Sequence, residues 1–167
     1  YLCETIDFCD KVGFGGVWWG KVAEFVFQGT AALSLDGKGR MAVPARHRDA
    51  LAALSGNQLT LTQHPVGCLL VFPRPAWEEF RAKLLSLPME ADGWRRFFVG
   101  SAADVEVDSA FRLLVPPELR AMAGLDKDVL LMGMGQRLEL WDPARYAAHQ
   151  ATVMAGPMPD AIKSFVF

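Results

Sequence analysis

The stretch Leu33-Ser-Leu-Asp36-Gly-Lys-Gly-Arg40-Met-Ala-Val43-Pro44-Ala-Arg-His-Arg48 returns later in the chain in altered form. The second copy reads Val105-Glu-Val-Asp108-Ser-Ala-Phe-Arg112-Leu-Leu-Val115-Pro116-Pro-Glu-Leu-Arg120. Asp, Arg, Val, Pro and the final Arg coincide at one constant offset. Further on, Leu69-Leu-Val-Phe72 answers Leu138-Glu-Leu-Trp141, each followed five residues later by an aromatic, Trp77 or Tyr146. So many coincidences in one order mark an internal repeat.

Each copy carries the same local plan. Leu33 and Leu35, like Val105 and Val107, alternate with polar residues as a half-buried strand does. Asp36 to Gly39 supplies turn chemistry, and Met41 and Val43 resume the alternation. Pro44 and Pro116-Pro117 stand where a helix begins, because proline is tolerated in the first turn. Gly124 reads as a helix stop. A β-rich stretch follows in each copy, 58–72 and 128–141, turning at Gly67 and at Gly133/Gly135. Helices close the copies over about 76–87 and 143–153, and residues 86–98 read as a connector. The organisation is therefore an extension over 1–25, repeat one over 30–76, helix and connector over 77–101, repeat two over 102–145, and a C-terminal helix and tail over 146–167. Neither repeat is large enough to fold comfortably alone, so a shared core is expected, as in a homodimer made covalent.

Composition supports a folded chain. Of 167 residues 51% are hydrophobic and 22% charged, and the formal net charge is −2. This excludes a disordered tail and a globally basic protein that coats nucleic acid. The cysteines Cys3, Cys9 and Cys68 form no CxxC pair, and His47, His64 and His149 are scattered, so neither a disulfide framework nor a metal site is expected. The apolar run at 12–20 lies between Lys11 and Lys21 and is too short to span a membrane. A reducing, cytoplasmic setting fits.

The pattern Asp-x-x-x-Arg-x-x-Val-Pro, with arginine four beyond the proline, resembles the AbrB/SpoVT family of DNA-binding domains. Two tandem copies ending in Leu-x-Leu-Trp141-Asp resemble the MraZ family of bacterial regulators in particular, over about 26–153. The resemblance implies an α+β, β-rich fold, in which two tandem AbrB-like repeats form a pseudo-symmetric swapped-hairpin β-barrel with short flanking helices. It also implies a ring homo-oligomer at the nucleoid. Its partner would be double-stranded DNA carrying short G-rich direct repeats of the TGGG type upstream of its own operon. The usual outcome would be repression of the division and cell-wall gene cluster. No cofactor or catalytic activity comes with it.

Local charge agrees in part. From Asp36 to Arg48 the chain carries Lys38, Arg40, Arg46 and Arg48 against one acid. Gly37 and Gly39 let backbone approach phosphates closely, and an arginine can fork to guanine O6 and N7. Arg40 is the candidate for base or phosphate contact and Lys38 for phosphate, and Arg46 and Arg48 are further candidates for DNA contact. Asp36, and Asp108 after it, are candidates for structuring the turn, since a carboxylate facing DNA is repelled. In the second copy Ser109-Ala110-Phe111 replaces Gly-Lys-Gly and Glu118 replaces Arg46, so Arg112 is left between DNA contact and a structural role. So few cations per subunit bind weakly, and a ring would compensate by avidity.

Rival readings exist. Asp36 and Asp108 could face each other as an acid–base pair, although neither has a nucleophile or metal ligand nearby. An AbrB-like antitoxin would hold a partner protein through its C-terminal segment, yet past Val153 only Asp160 and Lys163 are charged. A purely structural oligomer is the third alternative. Cys68, in an apolar run, reads as a small buried hydrophobe, and Phe72, Trp77, Phe97, Phe98, Trp141 and Tyr146 as core.

Residues 1–25 read differently from the rest, with four glycines in Val12-Gly-Phe-Gly-Gly-Val-Trp-Trp-Gly20. They are expected to be a leader outside the fold, or translated sequence upstream of a start at Val26, since GTG is an alternative bacterial start codon. Without them four acids and two bases go, and the formal charge rises from −2 to about 0. The code permits TGGG at Val12-Gly13 and at Gly15-Gly16, and Trp19-Gly20 requires it. These starts lie about ten nucleotides apart, near one helical turn. The stretch is thus expected to be operator sequence read as protein. Determining the codons tests this: any codon other than GTG at Val12 or GGT at Gly15 breaks the series.

Overall fold

Leu33 and its neighbours are extended, and the backbone of residues 30–34 forms the first strand. A computed structural model describes residues 26–165; the expectations for 1–25, including Cys3 and Cys9, lie outside the described residues. Strand β1 (Thr30–Ser34) leads through the Asp36 turn to β2 (Arg40–Ala42) and helix α1 (Ala45–Ser55). Strands β3 (Gln58–Gln63) and β4 (Leu69–Pro73) and helix α2 (Arg74–Leu85) complete the first copy. The second copy repeats the series as β5 (Ala103–Glu106), β6 (Arg112–Leu114), α4 (Pro117–Ala123), β7 (Asp128–Gly133), β8 (Leu138–Trp141) and α5 (Pro143–Ala155). Pro44 and Pro116 sit one step outside their helices, as caps with φ −56° and −54°. Their missing N–H is one that the helix start would leave unpaired. Gly124 ends α4 in the left-handed conformation, φ 63°, where a side chain would be strained.

The two copies do not stand side by side. The main sheet runs β1-β7-β8-β4-β3-β5, and β2 pairs only with β6. Thus β1 bonds to β7, β3 to β5, and β4 to β8, all antiparallel and all between copies. Only β3/β4 and β7/β8 pair within a copy. Reversing the strand order exchanges the copies, so the molecule has an internal two-fold relation.

The six-stranded sheet leads into the ribbon at both of its ends. Beyond β1 the Asp36 N–H donates to Arg40 O (2.8 Å), and beyond β5 the Asp108 N–H donates to Arg112 O (2.9 Å) and Val107 bridges to Leu113, so each edge strand turns into one strand of the ribbon. The ribbon and one face of the sheet enclose a common core: Leu35, Met41, Val43, Leu61 and Val71 from the first copy meet Val107, Leu113, Val115, Leu131 and Leu140 from the second.

The opposite faces of the two copies differ. In the first, Leu70, Phe72 and Trp77 pack with Phe80 of α2 and with Phe98. The connector proves to be helical, with a 3₁₀ turn at Met89–Ala91 and helix α3 (Asp92–Phe98). Asp92 opens α3, where the helix dipole favours an acid, and pairs with Arg95. Phe98 anchors α3 edge-on to Phe80 at 5.4 Å, and its carbonyl accepts from the Thr62 hydroxyl at 2.6 Å. In the second copy the counterpart of Leu70 is the buried Glu139, which accepts from Trp141 Nε1 at 3.1 Å. Trp141 stacks on His149 of α5 at 5.2 Å. A short last helix, α6 (Asp160–Lys163), follows. Among the described residues no helix is long and apolar enough to cross a membrane.

Interleaving makes each copy dependent on the other. Residues 26–101 expressed alone are expected to lack a stably folded monomer, because β1 and β2 lose their only strand partners and β3 and β4 lose one each; native-like amide-exchange protection in a monomer would overturn the shared core. Within the full chain, Leu140→Ala opens a cavity at a side chain with 0% exposure. It should cost about 2–5 kcal/mol of stability in urea unfolding.

Candidate nucleic-acid interface

Both Asp-x-x-x-Arg segments fold into the same turn. Asp36 Oδ1 accepts the backbone N–H groups of Lys38 (2.9 Å) and Arg40 (3.0 Å). Asp36 Oδ2 accepts Arg40 Nε at 2.8 Å, and Arg40 Nη2 lies 2.7 Å from it. In the second copy Asp108 accepts Ala110 N–H, Arg112 N–H and Arg112 Nε, each at 2.9 Å. The spacing explains the geometry: a four-residue step across a tight turn brings the arginine back beside the acid while the intervening N–H groups point inward. The Arg40 guanidinium and these N–H groups hold the Asp36 carboxyl down to about 2. Arg112 lowers Asp108 in the same way. Both acids therefore stay ionised as partners of their own arginines, which suits a turn buttress and not a proton donor.

The two turns meet through the ribbon. In it Arg40 lies opposite Leu114, Met41 opposite Leu113, and Ala42 opposite Arg112. Met41 and Leu113 point into the core, so alternation places Arg40, Ala42, Arg112 and Leu114 together on the outer face. Each arginine is tied to its aspartate through Nε and Nη2, which leaves Nη1 and the far edge of the guanidinium for a ligand. Lys38 is exposed at the tip of the first turn.

Reciprocal contacts lock the turns together. Val43 N–H donates to Phe111 O (2.8 Å) and Val115 N–H to Gly39 O (3.0 Å). Gly39 adopts φ 80°, and a Cβ there would lie 2.6 Å from Arg120 Cζ. The matching residue in the second turn is Phe111, at φ 56°, a conformation that a bulky residue adopts only where its surroundings impose it. Arg48, the counterpart of Arg120, lies over the Phe111 ring at 4.4 Å. Each turn is thus topped by an arginine from the other copy. The sequence offered no signal for this, since it depends on which residues the fold sets opposite one another.

The basic cluster at 36–48 is accordingly divided. Lys38 and Arg40 belong to the turn and ribbon. Arg48 donates from Nε to Val43 O at 2.9 Å and stacks on Phe111. Arg46 turns elsewhere: its Nε donates to His47 Nε2 at 3.2 Å, and its guanidinium lies against Gly29. His47 is buried edge-on to Phe27, and burial, with the Arg46 charge second, lowers its pKa. Cys68 is buried, which pushes its thiol up to about 12, so it is inert. Ala42 and Leu114 carry no motif of their own, yet the alternation around Met41 and Leu113 points them outward as well.

Sequence comparison converges on the same repeat. The profile of one family, described as "MraZ protein, putative antitoxin-like", matches residues 26–99 and again 97–160. The chain belongs to the MraZ family. Proteins named Transcriptional regulator MraZ from Leptothrix cholodnii and Methylibium petroleiphilum are each 62% identical over 146 residues, covering 87% of this chain and 100% of the relative. That of Burkholderia cenocepacia is 58% identical over 142 residues, covering 85% and 100%.

Two outcomes follow for the MraZ turn. The Asp36 carboxyl should titrate near pH 2 by NMR, and Arg40→Ala should return it toward 3.8. Because the folded value is the lower one, the turn contributes stability above about pH 3.8 that is lost as the pH falls toward 2. Gly39→Ala should lower stability by about 1–2 kcal/mol through left-handed strain and displace Arg120. Gly37→Ala, with open space around it, should change stability by less than about 0.5 kcal/mol in the same urea titration.

Proposed function

We propose that this MraZ chain is a transcriptional regulator that binds duplex DNA through the β2/β6 ribbon. The observation that carries the reading is the outer ribbon face, where Arg40 and Arg112 project together, each oriented by its own aspartate. A two-stranded ribbon fits the major groove, and an arginine held in place loses less freedom on forking to guanine O6 and N7. Lys38 neutralises a phosphate beside the first turn. Arg112 reads as the weaker twin, since its turn has no lysine. Arg48 braces the second turn through Phe111, and Arg46 lies away from both turns, beside His47 and Gly29. The names of the relatives favour the same role.

The finer form of the proposal is recognition of TGGG-type direct repeats upstream of its own operon, at the nucleoid, with repression of the division and cell-wall gene cluster. Several copies act together. One ribbon neutralises few phosphates, and two patches of exposed apolar side chains, Met89 and Trp94 around α3 and Met154, Met158 and Phe165 around α5 and α6, offer surfaces for self-association. A ring of copies then gains affinity by avidity. The exchange of strands between the copies is what two swapped hairpins joined in tandem would leave.

Fluorescence anisotropy with a TGGG-repeat duplex at several salt concentrations tests this. Arg40→Ala should weaken binding about 10- to 100-fold and relax the preference for guanine. Lys38→Ala should weaken all sequences alike and reduce the salt slope by about 1 per bound copy. Unchanged affinity in Arg40→Ala would remove the ribbon from the interface. Native mass spectrometry should show a closed oligomer, and a monomer at micromolar concentration would remove the ring.

A further inference from the structure

The outer face of the ribbon is only half cationic. The cross-strand neighbour of Arg40 is Leu114, and that of Arg112 is Ala42. Leu114 is 46% exposed, while the adjacent Leu113 is buried at 1%. A single exposed leucine is ordinary, but this one stands directly opposite the arginine that the DNA reading assigns to guanine. Opposed side chains in an antiparallel pair start about 5 Å apart, and successive bases rise by about 3.4 Å along a strand. Arg40 and Leu114 therefore reach neighbouring base pairs, not the same one. In the major groove the apolar feature that a base pair presents is the thymine C5-methyl group.

We propose that Leu114 reads the C5-methyl of a thymine in the base pair next to the guanine engaged by Arg40. The proposal rests on the ribbon as the DNA-binding element and adds a specificity-determining residue to it. It also gives the ribbon a direction. With arginines alone, the internal two-fold would suit an inverted site. Leu114 against Ala42, and Lys38 against Ala110, make the two ends unequal, so each copy selects a thymine on one side of its guanine and not on the other. Copies reading in one sense along the duplex then require direct repeats.

The test pairs a methyl deletion in the DNA with a side-chain deletion in the full-length protein. Duplexes carrying TGGG repeats are prepared with thymine or with deoxyuridine, which lacks only the methyl. Wild type should bind the deoxyuridine duplex about fourfold more weakly for each thymine contacted. Leu114→Ala should bind the thymine duplex more weakly by a similar factor and no longer distinguish the two. Leu114→Met should keep the discrimination, and amide exchange should show both variants folded, since the side chain lies outside the core. Equal wild-type affinity for thymine and deoxyuridine duplexes overturns the proposal. So does an undiminished preference for thymine in Leu114→Ala, which would place the methyl contact elsewhere. If wild type prefers neither repeat duplex over a scrambled one, the ribbon reading fails along with it, a result distinct from the first two.

Discussion

Strand β2 pairs with no strand of its own repeat: its three residues lie register by register against β6, and the residues flanking them exchange backbone hydrogen bonds with the opposite turn. The rest of the architecture depends on this pairing. Three extended residues cannot bury their own backbone polar groups, so the ribbon exists only when both copies are present. Met41, Leu113, Val43 and Val115 then reach the core from the ribbon. The same exchange ties the sheet, where three of the five strand pairings join one copy to the other.

On that frame the Asp-x-x-x-Arg turn has two separable roles. Inside, the aspartate satisfies N–H groups that the tight turn would otherwise leave unpaired. Outside, it holds an arginine in one orientation while leaving part of the guanidinium unengaged. The copies share both roles atom for atom and diverge in what surrounds the turn. One turn carries Gly-Lys-Gly beneath Arg120, and the other carries Phe111 beneath Arg48. Duplication preserved the scaffold and let the two surfaces differ. The far side of the sheet shows the same divergence: Leu70 packs in an aromatic cluster, while its counterpart Glu139 is held by Trp141.

Much of the local structure was legible in the residues themselves. Alternation around Met41 and Leu113 located the strands, the turn residues located the Asp36 loop, and Pro44, Pro116 and Gly124 located helix ends to within a residue. Each of these is decided by neighbours in sequence, through backbone sterics and side-chain period. The connector carries a helix, α3, that its Pro88 and Gly93 do not announce. Contacts from Phe98 to Phe80 and Thr62, both distant in sequence, stabilise a helix there.

The tertiary structure alone decided the rest. Period-two patterning says which face of a strand is buried and is silent on which strand lies beside it, so the exchange of strands between copies could not be read from the repeat. The charges at 36–48 looked like one basic cluster because they are close in sequence. Their long side chains end where the fold provides a partner: Arg40 on Asp36, Arg48 on Val43 and Phe111, Arg46 on His47. The sequence by itself determined a duplicated turn with an oriented arginine in each copy. Only the folded chain determined that the two arginines share one face, and that Leu114 and Ala42 stand between them.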